Sequence, residues 1–382
     1  MNDVIEQNAL PARIAIVTSA GGSEHAVSLR SAENVCSALQ QSFANIEIFP
    51  FDADLEDSLL AWKPDVVFPV AHGVGESGAL QARLDALGLP FVGSDASASS
   101  LCWDKSVANT RVSEWLASTP ALPPDFSRCA VPPFITLRRG DDLPTAVLDF
   151  CNRLPYREGV IVIKPAREGS SCGISFCTSP SYKFASKAEV IASINGSIWE
   201  ARLDKIIQCI DQAFAFDTDV ILQEAVQSTE ISVSILEDPD ARALPVVEIV
   251  MPRGEWYSYE NKYSANGSTH IIPARLPDWV SKLAQQVAVS VHRQLGCRDL
   301  SRVDFIVSHP QHLMEKHRLW FLEINTLPGF TATSLFPDAA KAAHVLLPEL
   351  VKNLVLSAWA RRCWPLQPGA GDVPDQSETQ QQ

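Results

Sequence analysis

Two short apolar runs late in the chain, VDFIV (Val303 to Val307) and LWFLEI (Leu319 to Ile324), carry acids where a buried strand would carry aliphatics. Asp304 and Glu323 stand inside them, Asn325 follows just after, and Arg302 and a Pro-Gly turn flank them. Leaving a carboxylate buried and unpaired costs several kcal/mol, roughly. Any fold that makes strands of these runs must therefore bring a partner to their polar edge. Glu323 and Asn325 are two apart on a strand and share a face, which Asp304 joins if the two runs pair. Three oxygen donors suit a hard cation such as Mg2+, which keeps waters and bridges phosphate oxygens. An acidic edge strand with solvated side chains accounts for one carboxylate; three oxygen donors in two apolar strands favour metal.

A second constellation is VIKPAREGSSCGIS, from Val162 to Ser175. A strand delivers Lys164, and Gly169, Ser170, Ser171 and Gly173 form a loop before the next strand. Small residues let backbone N–H groups approach an anion, and hydroxyls add donors, so the loop can close over phosphates. It is not the P-loop pattern, which runs into a helix. Taken alone, a Gly/Ser-rich hairpin explains it equally well.

Along the chain, ARIAIVTSA, a helical pattern from Glu24 to Ser42, NIEIFPFD and PDVVFPVAHG alternate as in a parallel α/β domain. SGALQARLDALGLPFVGSD adds a helix and a strand, and a new helical segment opens near Lys105. The middle third reads as strands PPFITL, GVIVIKPA, CGISFC and DVILQEAV, with two helices between them, one a polar surface helix from Lys187 to Phe214. The last third reads as strands EISVSIL, LPVVEIVMP, RVDFIV and LWFLEI, with helices from Pro277 to Leu295 and from Ala339 to Ala360, a mixed order that suits α+β. The expected division is 1–104 (N-terminal α/β domain), 105–236 (central subdomain), 237–365 (C-terminal subdomain with the metal site) and a disordered, Pro-, Gly- and Gln-rich tail, 366–382.

A net charge of -14 with no long Lys/Arg run argues against a nucleic-acid partner. No segment approaches 18 consecutive apolar residues and the N-terminus has no signal-peptide pattern, so a cytoplasmic protein with no membrane partner is expected. The nine cysteines are odd in number, scattered and without a CxxC pair, hence thiols rather than a disulfide framework or zinc site. Cys172, inside the phosphate-loop motif, is expected to be a buried, inert thiol.

The ordered segments GGSEHAVSL, VAHGVGESGALQARLDALGLPFVGS, WDKSVANT, VIKPAREGSSCGIS, YSYENKYS, CRDLSRVDF and FLEINTLPGFTATSLFP resemble the D-alanine:D-alanine ligases of the ATP-grasp superfamily, from about Ala12 to Val355. The resemblance implies an ATP-grasp fold, with a parallel α/β domain at the N-terminus and ATP bound between the central and C-terminal domains. It implies a magnesium-dependent ligase that joins two D-alanines through an acyl phosphate for peptidoglycan precursor synthesis, as a homodimer. By the same resemblance Lys105, Lys164 and Lys262, with Ser170 and Ser171, contact the ATP phosphates. Glu224 and Glu230 hold the adenosine part, although Glu230 follows Glu224 by six residues rather than about seven. Asp304, Glu323 and Asn325 place two Mg2+ ions, with Mn2+ as the alternative, and Arg302 and the Gly329 N–H are the oxyanion donors. Glu24 receives the first ammonium, linked through Ser170 to Tyr263; His72 lies beside the same substrate, and Ser334 and Leu335 meet the second carboxylate. Singly, Glu24 reads equally as a helix N-terminal charge and Tyr263 as a half-buried aromatic. Because tyrosine takes up no positive charge near pH 7, Tyr263 fits the dipeptide-forming type.

The chain also departs from the family's pattern. HGVGESG is one residue short, which keeps His72 in register and leaves Glu76 without a matched role. Ala26 replaces a common glutamate, Trp103 a methionine, and the stretch between Cys177 and Val220 is lengthened. An ATP-grasp ligase for another carboxylate and amine is the alternative; a nucleotide-binding module without catalysis is opposed by the intact Lys164, Arg302, Asp304 and Glu323.

Overall fold

A computed structural model describes residues 10–22, 24–118, 128–154, 159–179, 197–226, 228–251, 268–308 and 317–361. The Lys262 and Tyr263 assignments, the start of the helix expected from Lys187 and the tail at 366–382 lie outside these residues. Among the described residues three sheets form, each with its own helices.

The first sheet is parallel: β1 (Arg13–Ser19), β2 (Asn45–Phe51) and β3 (Val66–Pro69), in the order β2-β1-β3. Six of the seven residues of β1 are buried, as a parallel strand covered on both faces requires. Ile14 and Ile16 face one core, Ala15 and Val17 the other. Helix α2 (Leu55–Trp62) and helix α3 (Ala79–Ala86) give Leu55, Leu59, Leu80 and Leu84 to the second of these cores. Helix α1 (His25–Leu39) closes the first face with Val35, Ala38 and Leu39. The strand expected in LGLPFVGSD is only a single bridge between Val67 and Phe91. A short helix, α4 (Ala96–Trp103), which the sequence reading did not separate, follows instead and leads into α5 (Lys105–Ser118).

The second sheet is antiparallel: β5 (Phe134–Arg138), β6 (Val160–Pro165), β7 (Ser175–Thr178) and β8 (Asp219–Glu224), in the order β5-β8-β6-β7. Helix α6 (Leu143–Arg153) and helix α7 (Ser197–Ala213) pack on it. The expected polar surface helix is therefore amphipathic, because Ile206, Cys209, Ile210 and Ala213 of α7 are buried in this core.

The third sheet has seven strands: β4 (Cys129–Ala130), β9 (Thr229–Glu237), β10 (Ala241–Ala243), β11 (Val247–Val250), β12 (Thr269–Ile271), β13 (Leu300–Ser308) and β14 (Arg318–Asn325). They run β12-β11-β9-β13-β14-β4, with β10 on β9. Helix α8 (Asp278–Gln294) covers one face through Val280, Leu283, Val287 and Val291. The boundary expected at 236/237 cuts through β9, which pairs with β11 and β13 along its length, so by sheet membership it belongs with the third sheet. Helix α5 likewise packs on β14 and β4 rather than on the second sheet. The helix expected from Ala339 to Ala360 is two: α9 (Leu335–Ala342) and α10 (Leu347–Arg361). They are separated where His344 takes a φ of 62° and Pro348 opens the new first turn. α10 returns to the first sheet, lying against α1 and β3, while α9 packs between β9 and α10.

Candidate active site

A cavity of ≈ 250 Å3 lies where the second sheet, the third sheet and the loops of the first unit converge. Every residue given a catalytic, nucleotide-, substrate- or metal-binding role by the resemblance lines it, except Lys262 and Tyr263, which lie outside the described residues; Gly173 of the loop motif does not line it.

The acidic strands find partners inside the protein. β13 and β14 set Asp304 opposite Glu323 and Arg302 opposite Asn325, with an irregularity after Asp304. Arg302 donates from Nε to Asp304 Oδ1 at 3.0 Å and from Nη2 to Oδ2 at 2.8 Å, and the Ser232 hydroxyl on β9 donates to Oδ1 at 2.6 Å. Glu323 stands 3.8 Å from Lys105 Nζ. The Leu327 N–H donates to Asn325 Oδ1 at 2.7 Å, which orients the amide at the start of the turn. Cross-strand register thus gathers two carboxylates and an amide oxygen at one edge of the cavity. Their all-oxygen chemistry fits a hard divalent cation. Among the described residues no cluster of three His, Cys, Asp or Glu stands ready to enclose a metal, so an ion here would take its remaining oxygens from water or phosphate.

Across the cavity, β6 carries Lys164, which is buried. Burial pulls its pKa down to about 8, with Glu323 opposing that shift and Lys105 adding to it. A lysine held in this way gains most when a phosphate arrives to share its charge. In the loop that follows, Ser170, Ser171 and Gly173 have φ of 49°, 65° and 70°, and the Cys172 N–H donates to the Gly169 carbonyl at 3.1 Å, so the backbone turns tightly at the cavity. Lys105 Nζ donates to the Glu168 carbonyl at 2.5 Å, and Arg167 is forked onto Asp217, so the β6 end of the loop is held at two adjacent residues. Burial also raises the Glu168 pKa, which Lys105 partly offsets. Cys172 is half-buried, where a buried thiol was expected.

Glu24 occupies the N-cap position of α1, yet its side chain makes no capping bond. Instead the Ser170 hydroxyl donates to its Oε1, joining the loop of the second unit to the first. Gly169 makes this approach feasible: a Cβ there would lie 2.7 Å from Glu24 Oε2. Beside it, the His72 N–H donates to Ser28 Oγ at 3.0 Å, and His72 Nε2 shares a 3.3 Å hydrogen bond with Ser31 Oγ. Glu76, for which the sequence suggested no role, also lines the cavity; it accepts the Gly73 N–H at 3.1 Å and lies 3.7 Å from His72 Nδ1. Its i, i+4 spacing from His72 was the available signal. Gly329 packs against Ser334, whose Oγ accepts the Thr331 N–H at 3.0 Å and would be 2.7 Å from a Cβ at Gly329. The Leu335 side chain is buried in the core under the first sheet.

Two sheet-bearing units that close on one cleft lined by lysines and acids, beneath a parallel α/β unit, define the ATP-grasp architecture. Residues 193–356 match the family model described as "D-ala D-ala ligase C-terminus". A D-alanine–D-alanine ligase of Pelotomaculum thermopropionicum is 32% identical over 346 residues, spanning 90% of this chain and 95% of that protein. One of Desulforudis audaxviator is 34% identical over 353 residues, spanning 91% and 99%. The crystal structure of the Bacillus anthracis enzyme complexed with ATP superposes with a TM-score of 0.67 at 21% identity, covering 92% of this chain and 98% of that one, and so shares the fold. This chain belongs to the D-alanine–D-alanine ligase family.

Proposed function

We propose that the protein is an ATP-dependent enzyme that joins two D-alanines into D-alanyl-D-alanine, a precursor for peptidoglycan. The observation that carries this reading is the contact of Ser170 with Glu24, which sets an ammonium-binding carboxylate in the same cavity as Lys164, Arg302 and Glu323. In the first step a carboxylate oxygen of D-alanine bonds to the γ-phosphorus, the bond to the ADP oxygen breaks, and an acyl phosphate results. Lys105 and Lys164 neutralise phosphate charge, the main need of such a transfer. Glu224 and Glu230 face the nucleoside, and Glu24 holds the first ammonium beside His72. In the second step the free amine of another D-alanine bonds to the acyl carbon, the carbon–oxygen bond to phosphate breaks, and the surplus amine proton goes to solvent. Arg302 and the Gly329 N–H stabilise the oxyanion that forms between these events, and Ser334 and Leu335 bound the second carboxylate. Asp304, Glu323 and Asn325 would hold Mg2+, which supplies charge neutralisation at the β- and γ-phosphates.

The test measures phosphate released from ATP with D-alanine alone and with a panel of other amino acids, together with the dipeptide formed. D-Alanine alone should support both products in equal amounts. Turnover with another carboxylate and amine, but none with D-alanine, would overturn the substrate assignment.

A further inference from the structure

Four polar residues on α1 and at its N-cap reach three separate parts of the cleft. Glu24 meets Ser170, and Ser28 accepts the His72 N–H. Ser31, fully buried, accepts the Phe330 N–H at 3.2 Å while it shares its bond with His72 Nε2. One turn further on, Asn34 Nδ2 donates to the Phe330 carbonyl at 3.0 Å. Ser28, Ser31 and Asn34 are spaced three apart, so they follow one another along a single helix face. Both backbone polar groups of the residue after Gly329 therefore end on this helix. The Phe330 ring is packed edge-on to Phe68 and tilted on Phe336, which leaves the turn little freedom. Alanine would favour the helix more at position 31 and would bury no hydroxyl. What Ser31 adds is a bonded link between the His72 loop and the Gly329 turn.

We propose that Ser31 and Asn34 are positioning residues for the amide-forming step. They hold the Gly329–Phe330 turn against α1, so that the Gly329 N–H keeps a fixed place relative to Glu24 and His72, which the same helix sets. The proposal rests on the ligase reading above. It assigns no contact with substrate to either residue; each acts through the turn. The oxyanion that the Gly329 N–H meets develops when the second amine attacks the acyl carbon, so the clamp bears on that step and not on the transfer of phosphoryl to the first D-alanine.

Ser31→Ala removes the hydroxyl with little change in shape, and Asn34→Asp keeps the shape but loses the donor. In both variants the kcat for dipeptide formation should fall roughly tenfold or more. The KM for ATP, and the rate at which the first D-alanine scrambles labelled oxygen between the bridging and non-bridging positions of ATP, should stay within about twofold. A purely structural defect would lower scrambling and ligation together, along with Tm. The proposal is overturned if kcat is unchanged in both variants, or if scrambling and ligation fall equally. Hydrogen exchange at the Phe330 amide, measured without substrate, should quicken in Ser31→Ala; unchanged protection there overturns the clamp. A wild-type protein that makes no dipeptide while this exchange effect persists would instead sink the ligase reading.

Discussion

Glu24 begins a helix that it does not cap, and its carboxylate is turned to Ser170 and the cavity instead. A charged amine drawn unpaired into this enclosed place would be costly, so the carboxylate is the natural counter-ion. Glu24→Gln keeps the shape and removes the charge; D-alanine should then bind the first site about 2 to 5 kcal/mol more weakly, while ATP saturation hardly changes. Separate saturation curves for the two substrates check this, and equal D-alanine curves would refute it. Glu323→Ala should abolish ligation and leave thermal unfolding near that of the wild type, because the side chain lies at the cavity edge and is only half-buried. The expected loss is several kcal/mol, roughly, of transition-state stabilisation. At this scale the sequence was informative where chemistry is odd for its setting: acids in apolar strands had to have partners, and Arg302 and Lys105 are those partners. It was silent on Ser31, Ser28 and Ser232, because a serine in a helix or strand looks the same whether it bonds a loop brought from far along the chain or faces water.

The loop between β6 and β7 joins two units through one hydroxyl, so it can be loosened without disturbing either sheet. Ser170→Ala should raise the ratio of phosphate released to dipeptide formed, since an opened loop admits water to the acyl phosphate. A ratio that stays at one would count against it. Helix α8 carries a different liability. His292 is wholly buried, bonded through Nδ1 to Ser301 Oγ at 2.8 Å, and its Nε2 lies 3.9 Å from Glu237. Burial, helped by Arg293, depresses its pKa from 6.5 to about 4. The unfolded chain therefore takes up a proton near pH 6.5 that the folded one refuses until about pH 4. The stability contribution is whole above pH 6.5 and is lost as pH falls towards 4, about 3 kcal/mol in all. Denaturant titrations from pH 7 to 4 should show that loss in wild type and a flatter profile in His292→Gln. Strands and helices of ordinary length were readable from period and turn residues. β4 was not, because two residues carry no period and its parallel partner β14 lies about 190 residues away. The break between α9 and α10 was hidden because the apolar pattern runs on through Ala343 to Leu347.

At the scale of the molecule, the chain returns to where it started. Leu350, Val351, Leu354 and Val355 of α10 are fully buried in the core that Ile14, Ile16, Leu39 and Phe68 began. Four such side chains represent on the order of 6 to 12 kcal/mol of burial, comparable with the whole stability of a domain. A chain stopped after Leu346 should therefore lose cooperative unfolding and become prone to aggregate, a result that calorimetry and light scattering would register. A truncated protein with a sharp, near-normal transition would show that the first sheet completes its core without α10. Alternation of strand and helix made the parallel unit legible, but nothing local announced that its cover comes from the far end of the sequence; that is a long-range pairing, and periodicity carries no information about partners. The same closure gives the protein a timetable. On a ribosome adding about 5 to 20 residues per second, roughly a quarter of a minute to a minute separates the completion of β3 from the arrival of α10. Through that interval the apolar surface of α1 and β3 that α10 will cover lies open to water.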